Sequence, residues 1–291
     1  MSKVLILGKG FVGNYLNKRL SIRNKIHISK KDVDYSDYNT FFNFLKEHKY
    51  PAPEEQRIDH VINCSGYTGS PNVDACEDNK ESCYHYNVTV PLYITEACNR
   101  LSIPITHIGS GCIYDGYEKF YREEDIPNFG ADCHYSSFYS KTKDAFEKLS
   151  TRFDRSILRI RMPFCEEVNP KNYINKLFNY DTLISKPNSL TSLYDLSLFV
   201  NKFISSGLNG VYNIVNNGSI DSIEITKILK MHGVDNPNWK FISIKDLSTK
   251  TQRSNCILST EKIEKNFGKL PDVTESLEWA IKYFAENLKK Q

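Results

Sequence analysis

Two spacings of apolar residues alternate along the first half of the chain. KVLIL at 3–7 is a short apolar run with glycine behind it, and 11–20 then repeats apolar residues at helical spacing. The same reading predicts strands at 25–29, 58–64, 105–108 and 155–161, and helices at 38–47, 79–100 and 139–151. Strands that alternate with helices build a parallel sheet covered on both faces, so the expected fold class is α/β, a doubly wound sheet of Rossmann type. Past Pro163 the alternation weakens and Asn169, Pro170, Asn172, Pro187 and Asn188 accumulate, which marks a second, smaller α/β lobe. Within it, a helix at 191–203 preceded by a strand-like turn, a strand at 211–215 and helices at 222–232 and 274–288 are expected. The predicted division is 1–162 for the sheet domain, completed by about 190–218, and 163–291 for the second lobe.

Charge and composition narrow the classes without choosing one. The 38 basic and 35 acidic residues leave a formal charge of +3, far from the one-sided basic balance of a nucleic-acid binder. Ser2 and Lys3 lead straight into the first strand, and no apolar stretch approaches the ~18 residues of a membrane span. A soluble, unprocessed protein with no membrane partner is expected. The cysteines, at 64, 76, 83, 98, 112, 133, 165 and 256, lack zinc-type pairing, so they read as reduced thiols of a cytoplasmic protein. None of the seven histidines pairs at ligand spacing, and no metal is predicted.

Candidate chemistry begins at Gly8, Lys9, Gly10, Phe11, Val12, Gly13, a G-x-G-x-x-G between strand and helix. Glycine backbone there lets a pyrophosphate meet the helix N-terminus; the plainer alternative is a tight turn. The second strand ends in Ser29, Lys30 and Lys31, where an NAD site usually offers an acid. Cations suit a 2′-phosphate, so NADPH is preferred to NADH, although Asp32 and Asp34 follow closely. Asn63, Cys64, Ser65 and Gly66 close the third strand at the same edge, either as small residues under the dinucleotide or as an ordinary strand-end turn.

Tyr139 and Lys143 stand four apart, on one face of a predicted helix. A phenol of pKa about 10 becomes an acid/base partner near neutrality when a cation stabilises its ionised form, which Lys143 can do. The alternative is a solvated helix face. With Ser110 at a strand end, the pattern resembles the extended short-chain dehydrogenase/reductases, and the resemblance implies a catalytic triad of Ser110, Tyr139 and Lys143, with Tyr139 and Lys143 also touching the cofactor.

Longer segments restrict the resemblance: GSPNVDACE at 69–77, GCIY at 111–114, FYSKTK at 138–143, RIRMPF at 159–164, NPKNYINK at 169–176 and RSNCILS at 253–259. Together they are similar to the UDP-4-keto-6-deoxyglucose 3,5-epimerase/4-reductases that make UDP-L-rhamnose in plants and giant viruses. Length suits the free-standing viral form, and the dTDP-4-keto-rhamnose reductases match more weakly. The resemblance implies a nucleotide-sugar substrate and epimerisation by Cys112 and Lys176. By themselves these residues read as a small buried thiol and an exposed helix lysine. It also implies substrate contacts from Asn87, Asn172 and Arg253, and more weakly Thr68 and Asn72; otherwise the first three are a helix-surface amide, a loop cap and a solvated arginine. A ketone at C4 acidifies C3 and C5, so two acid/base groups can invert both centres before hydride arrives. Rival readings are a reductase without epimerase activity, a non-catalytic cofactor-binding regulatory subunit, and the same steps on a GDP-mannose derivative. UDP against dTDP and the oligomeric state, a homodimer included, stay open.

Overall fold

The KVLIL run becomes a buried inner strand of the sheet, one place in from its edge. In the computed structural model residues 3–50, 57–70, 72–246 and 249–290 are described; Ser2, read above as leading into the first strand, and Pro71 of the 69–77 segment lie outside them. β1 (Lys3–Leu7), α1 (Phe11–Arg19), β2 (Asn24–Ile28), α2 (Tyr38–Glu47) and β3 (Ile58–Asn63) follow the expected order. The helix expected over 79–100 is instead assembled from α3 (Ala75–Asp78), ahead of it, then α4 (Lys80–Tyr84), a π-helical turn (His85–Thr89) and α5 (Val90–Arg100). Pro91 in the first turn of α5 has no N–H to give, so a regular ladder cannot run through it, and the chain widens just before it.

Next come β4 (Ile105–Ser110), β5 (Gly116–Tyr121), α6 (Phe138–Leu149) and β6 (Ser156–Ile160). Beyond Pro163 lie β7 (Pro163–Phe164), α7 (Tyr173–Asn179), β8 (Thr182–Ile184), β9 (Thr191–Ser192), α8 (Leu193–Ser206), β10 (Gly210–Asn213), α9 (Ser222–Met231), β11 (Lys240–Ile242), β12 (Cys256–Leu258), α10 (Glu261–Phe267) and α11 (Val273–Leu288). The short strands β5, β7, β8, β11 and β12 were not anticipated: two- to six-residue pairings carry too little periodicity to read.

Six strands form one parallel sheet in the order β10-β6-β4-β3-β1-β2, which is a Rossmann-type arrangement. β1 pairs β2 on one side and β3 on the other. The chain thus winds both ways from β1, and the crevice at the carboxyl ends of β1 and β3 is where such sheets receive ligands. One face is covered by Tyr15 and Leu16 of α1 with Leu196, Phe199 and Phe203 of α8, the other by Phe41 and Leu45 of α2 with Ile94 and Ala97 of α5. A further core joins Ile174 and Leu177 of α7, Ile225 and Leu229 of α9, and Leu277, Ile281 and Phe284 of α11. Among the described residues no helix is long and apolar enough to cross a membrane.

A buried ion pair fastens α6 to the sheet. Arg159 on β6 donates from Nη2 to Glu147 Oε2 at 2.6 Å, and its Nη1 donates to Tyr114 Oη at 3.0 Å. Both side chains are buried, so removing one partner strands a charge away from water. Glu147→Ala should therefore lower the unfolding free energy by about 3–5 kcal/mol in urea denaturation; a loss under about 1 kcal/mol would show that the pair does not hold this helix.

Candidate active site

Glycine at three positions shapes the end of β1. Gly8 has φ +97°, and a Cβ there would stand 2.9 Å from Ser65 N; a Cβ on Gly13 would stand 2.0 Å from Gly8 O. A Cβ on Gly10 would meet open space, and as the residue preceding α1 it brings no capping side chain. The first N–H groups of α1 thus face a hollow with no protein acceptor from the cap and no acidic residue in the first turn. That cradle fits a pyrophosphate. Phe11 and Val12 are half-buried against the core behind it. At the neighbouring strand end Asn63 accepts from Ser65 N at 3.0 Å and Oγ at 2.5 Å and contacts His107 Nδ1 at 3.0 Å. Burial pushes the Cys64 thiol up to about 12, and Gly66 lies exposed at the cleft.

The end of β2 holds both signs of charge. Asp32 accepts from Ser29 N at 2.7 Å, Ser29 Oγ at 2.8 Å and Lys9 Nζ at 2.9 Å, bonds that hold its carboxyl far below the usual range. Lys30 donates to Tyr86 Oη at 2.6 Å, and Lys31 is exposed. Two cations remain at this edge, while Asp32 is folded back into its own turn.

Ser110 ends β4, and Ser137 caps α6 by accepting from Ser140 N, which sets Tyr139 and Lys143 in the first turns. Ser110 Oγ donates to Cys112 Sγ at 2.9 Å and accepts from Cys112 N at 3.3 Å. The Tyr139 phenol is held well above its ordinary pKa, by burial first and then by Cys112; a hydrogen bond with Ser110 opposes them. Lys143 Nζ lies 5.5 Å from the Tyr139 ring centroid. Burial lowers its pKa, opposed by Cys112, Cys83, Glu147 and Cys76. The expected lowering of Tyr139 by Lys143 is therefore outweighed here: desolvation and thiol neighbours keep the phenol protonated.

The residues assigned to substrate divide in two. Asn87 and Asn172 do not offer free amides. Asn87 accepts from Tyr67 N at 2.8 Å and donates to Tyr67 O at 2.9 Å and Thr142 Oγ1 at 3.2 Å. It ties the loop after β3 to α6. Asn172 caps α7 through Ile174 N and donates to Cys165 O and Glu167 O, both at 2.7 Å, so the loop-cap alternative holds. Both amides are buried; the Asn172 oxygen and nitrogen are engaged with backbone, whereas Asn87 Oδ1 accepts a single bond and keeps one lone pair beside Gly66.

Thr68 and Asn72 sit on the loop after Gly66; Thr68 is exposed, and Asn72 Oδ1 accepts from Asp74 N at 2.9 Å. Lys176 is half-buried on α7 rather than solvated, its pKa lowered by burial, then by Lys171 and Arg253. Arg253 donates to Asp74 Oδ2 at 2.8 Å. Sequence reasoning missed Asp74, Lys171 and Glu77, whose Oε1 accepts from Phe138 N at 2.7 Å where α6 begins. The acids of VDACE were the available signal, but their partners lie 61 and 179 positions away.

Sheet order, glycine cradle and the tyrosine–lysine pair together are those of the extended short-chain dehydrogenase/reductases. The family model RmlD substrate binding domain matches residues 2–286, and the chain belongs to this family of RmlD-like 4-keto sugar reductases. It is 32% identical over 248 residues to the Arabidopsis thaliana "Bifunctional dTDP-4-dehydrorhamnose 3,5-epimerase/dTDP-4-dehydrorhamnose reductase", covering 81% of this chain and 80% of that protein. The chain spans only 35% of trifunctional plant proteins that it also matches. The crystal structure of the L780 UDP-rhamnose synthase from Acanthamoeba polyphaga mimivirus superimposes with TM-score 0.85 at 26% identity, over 97% of this chain and 99% of that one. The Bacillus anthracis dTDP-4-dehydrorhamnose reductase, solved in complex with NADP, shares the fold with TM-score 0.83 at 20% identity, over 98% and 100% of the two chains.

Two buried histidines make the site's support sensitive to pH. Burial lowers His107, which holds Asn63 in place, from 6.5 to about 3, with Lys143 and Arg155 adding to it. Burial likewise lowers His60 from 6.5 to about 4. The unfolded chain takes up these protons as pH falls below 6.5 and the folded chain does not, so their contribution to stability is full above 6.5 and lost toward pH 4 and 3. The urea midpoint should fall across that window, and His107→Gln should flatten the slope; an unchanged slope would show that His107 protonates freely in the fold.

Proposed function

We propose that the chain converts UDP-4-keto-6-deoxy-D-glucose to UDP-L-rhamnose in two stages at one carbonyl: inversion at C3 and C5, then NADPH-dependent reduction at C4. The observation that carries this reading is the meeting of Ser110, Cys112 and Tyr139, with 2.9 Å between Ser110 Oγ and Cys112 Sγ. Donors for the C4 oxygen and a thiol base thus share one spot. The bifunctional plant relative and the mimivirus UDP-rhamnose synthase, by their names, support both the pairing of activities and the sugar.

Ser110 and Tyr139 donate to the C4 oxygen, which stabilises an enolate as a proton leaves C3 or C5. Cys112 is one acid/base group and Lys176 the other. Burial and two neighbouring cations lower Lys176, the direction a lysine base requires. NADPH, when bound, supplies hydride to C4. Tyr139 gives its proton to the C4 oxygen, and its raised pKa keeps that proton in place until the oxygen becomes basic. Lys143 then holds the proton path and the ribose side of the cleft.

Gly8, Gly10, Phe11, Val12 and Gly13 cradle the pyrophosphate, and Asn63, Cys64, Ser65 and Gly66 let the cofactor approach backbone. Ser29, Lys30 and Lys31 take a 2′-phosphate. Thr68, Asn72 and Arg253 contact the nucleotide sugar, Asn172 acts by bracing, and Asn87 braces the Tyr67 loop while keeping one acceptor toward the cleft. The cofactor-binding domain is 1–162 completed by 190–218, a division supported by β10 pairing with β6, and 163–291 mainly binds substrate. Eight free cysteines suit a reducing, cytoplasmic setting.

Incubation with UDP-4-keto-6-deoxyglucose and NADPH in heavy water, read by NMR, should show UDP-L-rhamnose with deuterium at C3 and C5. Tyr139→Phe should cut reduction by about 10²–10⁴-fold. Cys112→Ala should stop exchange; exchange at the wild-type rate would reject the thiol's role. Reduction confined to a sugar already epimerised, without exchange, would leave a reductase alone. A lower KM for NADH than for NADPH would overturn the 2′-phosphate reading.

A further inference from the structure

Three basic side chains from the C-terminal half meet the segment that follows β3. Lys171 donates to Gly69 O at 2.8 Å and lies 3.4 Å from Thr68 Oγ1. Lys250 pairs with Asp78 at 2.6 Å, and Arg253 with Asp74 at 2.8 Å. The Arg253 contact differs from the others in how it is completed. Four buried side-chain polar atoms lack a partner among the described residues, and two of them, Asp74 Oδ1 and Arg253 Nη1, belong to this one pair. Each side chain spends one atom on the other and leaves its second atom buried and unmatched. Such an arrangement is poor as a purely structural salt bridge, because fork-to-fork pairing would satisfy all four atoms.

Asp74 precedes α3 with helical backbone angles, and the first amides of that turn are taken by backbone, Cys76 N donating to Val73 O and Glu77 N to Asp74 O, each at 3.0 Å. Its carboxylate therefore has no capping bond to make and is turned toward Arg253. Around the pair positive charge is in excess: Lys176 feels like charge from both Lys171 and Arg253, and Asp74 is the carboxylate directly bonded within this group.

We propose that Asp74 is a counter-ion that holds Arg253 in reserve for the diphosphate of the nucleotide sugar and thereby sets the affinity for it. The assignment rests on the nucleotide-sugar reading of the cleft. In the free protein the carboxylate neutralises the guanidinium through one bond; when the diphosphate arrives, its oxygens replace the carboxylate on both Nη atoms. Binding is therefore a competition between two anions for one arginine, and the sign of a substitution at Asp74 is fixed. Removing its charge should tighten binding of the diphosphate, whereas a simple structural salt bridge or a direct substrate contact would loosen it.

Calorimetric titration of the full chain with UDP, and with uridine as the phosphate-free probe, tests this without turnover. Asp74→Asn should bind UDP about tenfold tighter than the wild type, with uridine unchanged. Arg253→Gln should bind UDP at least tenfold weaker, again with uridine unchanged. Equal or weaker UDP binding by a folded Asp74→Asn, checked by its thermal midpoint, overturns the proposal. Should that variant not fold, Asp74→Ser and Arg253→Gln still decide: loss of UDP and uridine affinity in parallel in Arg253→Gln also overturns it, as does a wild type that binds no UDP. The reaction in heavy water is a separate measurement, so a chain that binds UDP with the expected signs but reduces no 4-keto sugar would sink the enzymatic reading and leave this one standing.

Discussion

Everything in the cleft is referred to one close approach of backbone to backbone, where α1 begins against the end of β1. A Cβ on Gly13 would lie 2.0 Å from Gly8 O, and one on Gly8 only 2.9 Å from Ser65 N. Without side chains at these points the helix seats directly on the strand end, and the turn after β3 closes against both. The hollow at Gly10 is the space left over. Its position at the carboxyl ends of β1 and β3 is set by strand order, and its polarity by the uncapped amides of α1.

Buried amides carry that geometry outward to the strand end at Ser110 and to the helix of Tyr139 and Lys143. Asn63 fixes the turn at Ser65 and meets His107 on β4, the strand that ends in Ser110. Asn87, in the π turn before Pro91, holds the backbone of Tyr67 and touches Thr142, the neighbour of Lys143. Asn172 holds the turn that aims Lys171 across the cleft and starts the helix bearing Lys176. A carboxamide both donates and accepts, so each can brace two backbone directions at once and stay satisfied away from water. Two of the three had been assigned to the substrate. Amide identity and proximity to a motif are the same for a brace and a ligand contact; only the hydrogen bonds distinguish them.

Electrostatics in the cleft follow from burial more than from pairing. Tyr139 stays protonated and Lys143 and Lys176 are both lowered, with desolvation the leading cause in each case. A site arranged in this way keeps a proton on the phenol and makes the lysines easier to discharge, which suits proton movement at a carbonyl. Two arginine–carboxylate pairs, Arg159 with Glu147 and Arg253 with Asp74, differ in completeness: the first is fully bonded and structural, the second leaves an atom over on each side.

Local sequence determined what depends on neighbouring residues alone. The strand–glycine–helix unit at 3–19, the helix at 38–47, the one-face placement of Tyr139 and Lys143, and Ser110 at a strand end were legible because each rests on spacing of 2, 3.6 or 4 residues. Tertiary structure decided the rest. The break in the helix through His85–Thr89 and the pairing of Arg253 with Asp74 across 179 positions depend on packing between distant segments. So does the balance of charge at Tyr139 and Lys143. Which neighbours bury a group, and which bonds an amide has left, are set by contacts that no local pattern encodes.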